Sequence, residues 1–158
     1  MSPALANEIL TYTHETDKPL YQATLHAVAD ARKLRPVFFK RQSRALQHEM
    51  MVATLSRPVM EVVAGNLLRA WLLKEHKQML VDFLDGLGIA HEEGIVEQLP
   101  PAMEDAKVHA AVDGLLAKHP PETAAVYLHA FNKMNEVEWP NLKAMLDSDP
   151  RLQLGATG

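Results

Sequence analysis

Eight histidines, twenty carboxylates and no cysteine set the side-chain chemistry open to this chain of 158 residues. Without a thiol, thiolate catalysis, zinc–cysteine sites and disulfide bracing are excluded, which leaves imidazole and carboxylate as metal ligands and acid–base groups. His-Glu pairs stand at His14-Glu15, His48-Glu49 and His91-Glu92. None has a second histidine four residues after the first, the spacing that puts two zinc ligands on one face of a protease helix. No glutamate is followed three residues later by histidine, so the di-iron bundle pattern is absent as well.

Two weaker metal candidates survive. Asp105, His109 and Asp113 are spaced by four on one predicted helix face, beside Val108, Val112 and Leu115, and could converge on a cation; a solvated strip is the simpler account of them. His91-Glu92-Glu93, close in sequence to Asp82 and Asp85, is the other, set in a predicted polar loop. For nucleophilic catalysis, Ser2, Ser43 and Ser56 stand where helices should start, Ser148 falls in a terminal turn, and no Gly-x-Ser-x-Gly elbow occurs. Gly86-Leu87-Gly88 follows a helix rather than a strand and has His91 where a dinucleotide loop needs its third glycine, so it reads as helix termination. No catalytic motif is found, and no cofactor is implied.

The densest charge is basic. Residues 31–48 hold Arg32, Lys33, Arg35, Lys40, Arg41 and Arg44 with no acid, interleaved with Phe38 and Phe39. Such a segment could receive an anionic small molecule or an acidic partner, with Arg35, Lys40, Arg41 and Arg44 as the receiving charges. Arg32 and Lys33 are also explained by a helix end, where cations offset the dipole. Nucleic acid is disfavoured by the acidic remainder of the chain and the lack of a recognisable binding motif. The net charge of −4 hides a change of sign, since residues 1–78 carry 11 Lys/Arg against 7 Asp/Glu and residues 79–158 carry 5 against 13.

These groups must be positioned by helices, because no stretch alternates β-branched and polar residues as a half-buried strand would. A short helix is expected over residues 3–10. Asp17, with Pro19 in the first turn, predicts another reaching about residue 34, its apolar face formed by Leu20, Tyr21, Ala27, Val28, Ala31 and Leu34. After Arg35-Pro36 and the Phe38-Phe39 segment, a helix is expected from Ser43 to about Leu55. Ser56-Arg57-Pro58 repeats the cap-then-proline signature and should open the longest helix, about 57–86, ended by Gly86 and Gly88. A loop or short helix over 89–99 precedes Pro100-Pro101. Further helices are expected over 105–118, from Pro121 with Tyr127, Phe131 and Met134 inward, and after Trp139-Pro140. Trp71, Trp139, Tyr127 and the eight methionines read as core and gap-filling residues.

The fold class expected is therefore all-α: a compact bundle of six or seven helices around one long central helix, in a single domain, with residues 1–16 and 152–158 loosely ordered. A helix over 57–86 would be about 45 Å long, more than a domain of this size is wide, so a second copy should cover its far end or the polar run 74–78 should bend it. Between Val59 and Leu73 its apolar residues exceed one stripe, and Glu61, Gly65 and Arg69 at four-residue spacing mark either an interface or its solvent-facing strip. No apolar run approaches the length of a membrane span, and the N-terminus lacks an export signal's pattern, so a soluble cytoplasmic protein without membrane partners is expected. By elimination the expected function is that of a homo-oligomeric interaction module, a dimer being favoured, without catalytic activity; the alternative is a helical binding protein or enzyme for an anionic small molecule that uses the basic segment 32–44.

Overall fold

A computed structural model describes residues 1–135 and 138–154, leaving aside the side chain of Met134. Among these residues nine α-helices and two 3-10 turns account for the regular structure, with no strand. Among the described residues no helix is long and apolar enough to cross a membrane. The chain divides into two compact units, Ser2–Trp71 and the part from Leu72 onward.

In the first unit, the residues expected to be loosely ordered form helix α1 (Pro3–Thr16), capped by Ser2 and anchored by the buried side chains of Leu5, Ile9, Leu10 and Thr13. Asp17 caps α2 (Lys18–Ala31), accepting from the Leu20 amide. Its inward face is Tyr21, Thr24, Leu25, Val28 and Ala29. The helix stops three residues short of the expected end, because Lys33 takes a left-handed conformation (φ 56°) and the Leu34 amide turns back to the Ala29 carbonyl. Proline at the first helical position opens the single-turn helix α3 (Pro36–Lys40), and Ser43 caps α4 (Arg44–Leu55). Leu10, Tyr21, Leu25, Val28, Phe39, Met51, Met60 and Leu67 form one apolar core.

Ser56 does not cap a new helix. It closes α4, donating its hydroxyl to the Val52 carbonyl, and Arg57 precedes a 3-10 turn (Pro58–Met60) without a side-chain cap. The segment expected as one helix over 57–86 is thus that turn, α5 (Glu61–Glu75) and α6 (Lys77–Leu87). The break falls at His76, whose backbone (φ −119°, ψ 31°) leaves the helical region inside the polar run 74–78, where released backbone groups can be hydrated. At 1.5 Å per residue, α5 and α6 span only about 22 and 16 Å, so no second copy is needed to cover excess length.

In the second unit α6 ends at Gly88 (φ 72°), while Gly86 lies inside it; a Cβ at Gly86 would stand 3.4 Å from that of Ala111, consistent with close packing on α7 (Asp105–Lys118). Helices α8 (Pro121–Met134) and α9 (Pro140–Ser148) and a second 3-10 turn (Pro150–Leu152) complete this unit. Its centre is aromatic: Phe83 meets Tyr127 and Phe131 edge-on at 5.6 and 5.2 Å between centroids, and Phe131 meets Trp139 at 5.4 Å. Met134, expected on the same inward face, has a side chain outside the described residues, as do residues 155–158 of the expected frayed end.

Candidate functional site

The basic segment folds into a corner. Phe39 turns inward and is fully buried, which leaves Val37 (60% exposed) and Phe38 (55%) on the outer side of α3, with Arg35 before them and Lys40 and Arg41 after. Aromatic interleaving in the sequence therefore resolves into one core residue and one surface residue. Gln47 ties the corner to α4, its buried amide donating to the carbonyls of Phe39, Lys40 and Gln42 at 3.1–3.3 Å. Arg44, the first residue of α4, lies over the Tyr21 ring at 5.4 Å from its centroid, while Arg32, set apart from the other cations, donates to Thr54. Arg35, Lys40, Arg41 and Arg44 are exposed, and among the described residues none has a carboxylate within ion-pair distance.

Behind the corner lies a polar network that the sequence reading missed. Tyr21 donates to the Gln47 side-chain oxygen at 3.0 Å, His14 stands edge-on to the Tyr21 ring at 4.8 Å, and His48 is 5.9 Å from it. His48 is 4% exposed; its Nδ1 faces the Asn7 oxygen at 2.7 Å and its Nε2 is buried with no hydrogen-bond partner among the described residues. Burial first, then the Arg44 guanidinium and His14, hold His48 below the usual imidazole range. His14 is lowered by burial first and then by Arg44 and Lys18, with Glu15 opposing. A histidine lowered in the folded state binds its proton more readily when unfolded, so its contribution is complete above the unfolded pKa of about 6.5 and is lost as pH falls through the lower folded value. Thermal unfolding followed from pH 7.5 to 5 should show the midpoint falling below about pH 6.5, and His48→Gln should flatten that decline. An unaltered slope in the variant would mean that His48 does not titrate on unfolding.

On α5 the stripe Glu61, Gly65 and Arg69 lies at the surface, with both charges exposed. A Cβ built at Gly65 meets nothing within 4 Å, and the neighbouring Val59 and Val62 are 81% and 76% exposed.

In the second unit the acidic and histidine groups pair locally. Asp82 accepts from the Gln78 amide at 2.8 Å and meets His119 Nε2 at 2.8 Å, and these bonds, Gln78 first, hold its carboxyl below the usual range despite partial burial. The Gly94 amide donates to His91 Nδ1 at 3.0 Å, so the ring proton sits on Nε2 and points at Asp85 Oδ1, 2.7 Å away. Lys77 pairs with Glu93 at 2.8 Å and, as its main influence, lowers that carboxyl. Asp105 accepts from Asn141 at 2.9 Å, Asp113 pairs with Arg151 at 3.0 Å, and His109 is exposed. Neither metal candidate converges: among the described residues no three His, Asp or Glu side chains form a metal-binding group.

The loop after α6 carries an antiparallel bridge, Glu92 to Ile95, around Glu93 (φ 53°) and Gly94 (φ 86°). Both positive φ values make a tight reversal, and a Cβ at Gly94 would stand 3.1 Å from that of Leu80. Beside this turn opens a groove of about 600 Å3, lined by Glu92, Glu93, Ile95, Val96, Glu97 and Gln98 among others. No family model, no curated protein and no solved structure matches the chain.

Proposed function

We propose that this protein is a homo-oligomeric helical interaction module without catalytic activity, a dimer being the favoured form, with Glu61, Gly65 and Arg69 of α5 at the contact. The observation that carries this reading is the pair of nearly fully exposed aliphatic side chains, Val59 and Val62, beside the open position at Gly65. Glycine inside a helix costs about 1 kcal/mol against alanine, and its lack of a side chain suits close approach of a neighbouring helix. Burying two valines of this kind contributes roughly 1.5–3 kcal/mol each.

Native mass spectrometry and sedimentation velocity on the untagged chain test it. Gly65→Arg, at a position where an added Cβ meets no described atom within 4 Å, should weaken association by about 100-fold while leaving helix content and the urea midpoint unchanged. Unchanged assembly would remove this surface from the contact. A second reading, an anionic small molecule held by Arg35, Lys40, Arg41 and Arg44, is favoured by the absence of carboxylate partners for these four among the described residues. A reproducible anionic adduct on a monomer in the same spectra would favour it over self-association.

A further inference from the structure

Two exposed features have complementary form and charge. On α3, Phe38 and Val37 project between Arg35, Lys40 and Arg41, three exposed cations without carboxylate partners among the described residues. At the loop after α6, an open groove has Ile95 and Val96 in its wall and Glu92 and Glu97 at hand, two exposed carboxylates with no cation at ion-pair distance among the described residues. Ile95 is 54% exposed, yet the turn that presents it is held by two bridging backbone hydrogen bonds, by the Gly94-to-His91 bond and by the Lys77–Glu93 pair. A rigid element that exposes an isoleucine has already met its ordering cost before a partner arrives.

We propose that the α3 corner of one copy docks in the acidic groove of a second copy, with Phe38 against Ile95 and Val96 and with Arg35, Lys40 and Arg41 facing Glu92 and Glu97. The inference rests on the reading that the chain self-associates, and adds a contact separate from that at α5. An aromatic anchor entering a partly apolar groove and ringed by opposite charges has the anatomy of an interaction hot spot, the charges setting orientation and the aromatic side chain supplying affinity. The groove volume of about 600 Å3 admits a phenylalanine side chain with room for the flanking cations. The contact is either exchanged reciprocally within a two-fold dimer, each corner in the other copy's groove, or repeated head to tail. A nucleic-acid occupant is less favoured by Val37 and Phe38, which suit an aliphatic groove.

The test uses full-length chains, all carrying Gly65→Arg to close the α5 contact, with association followed by sedimentation velocity. One variant reverses the corner (Arg35→Glu, Lys40→Glu, Arg41→Glu) and another the groove (Glu92→Lys, Glu97→Lys); every altered side chain is exposed, so folding is checked simply by circular dichroism. Each variant alone should be monomeric, because like charges then face each other. An equimolar mixture should associate as the Gly65→Arg parent does, since each altered corner meets an oppositely altered groove and each native corner a native groove. Phe38→Ala should weaken parental association at least about 10-fold. Association of either charge variant alone at the parent's strength, or a mixture that stays monomeric while the parent assembles, overturns the corner-to-groove contact. A Gly65→Arg parent that is monomeric overturns this contact too. If the unsubstituted chain is also monomeric, the self-association reading fails with it.

Discussion

Trp139→Ala should lower the unfolding free energy by about 3–5 kcal/mol, the largest loss expected from any single truncation in the second unit. The indole is fully buried, packs on Phe131, and donates Nε1–H to the Pro100 carbonyl at 2.9 Å; its backbone amide donates to Asn132 at 3.1 Å. Alanine opens a cavity in the aromatic centre and leaves that carbonyl without its donor. Trp139→Phe retains most of the volume and loses only the Nε1 bond, so it should cost about 1–2 kcal/mol. Urea denaturation of both variants checks the ordering. Equal losses would place the cost in the hydrogen bond rather than in the packing.

Gln47→Leu should cost about 3 kcal/mol, although its volume change is small. One amide here satisfies three carbonyls and its oxygen accepts from Tyr21, so an apolar replacement leaves a buried hydroxyl and part of the α3–α4 connection unsatisfied. Amide hydrogen exchange over residues 36–43 should accelerate selectively. Adding Tyr21→Phe should recover part of the loss, because removing both partners of a buried bond costs less than removing one. Stability unchanged in Gln47→Leu would show that water replaces the side chain without penalty.

Much of the helical layout was legible because local chemistry punctuates it. Ser2, Asp17 and Ser43 cap as their positions predict, and prolines stand at or near the first helical position of α1, α2, α3, α8 and α9. The break at His76 was legible only as one of two alternatives, a bend in the polar run 74–78, because no proline or glycine marks it and apolar residues resume on both sides, at Leu72-Leu73 and Met79-Leu80. Ser56-Arg57-Pro58 misled for the opposite reason: its serine can cap backward onto the helix it ends. Two of the polar pairings were illegible because they join distant residues, 37 apart for Asp82 and His119, 41 for Asn7 and His48. One signal was available. Gln47, Met51 and Thr54 share a helical stripe, so a glutamine stood among buried positions and called for a partner. The cationic corner was readable as composition, whereas the division of labour between Phe38 and Phe39 needed the fold.

The two indoles report on different parts of the chain. Trp71 is the last residue of the first compact unit and Trp139 lies in the core of the second, 1% and 0% exposed respectively. Intrinsic emission is therefore the sum of two local optical probes, each shielded from water in the folded state. A change in emission wavelength during unfolding is a population-weighted average over both, and a phenylalanine in place of either indole leaves the other as the single indole reporter.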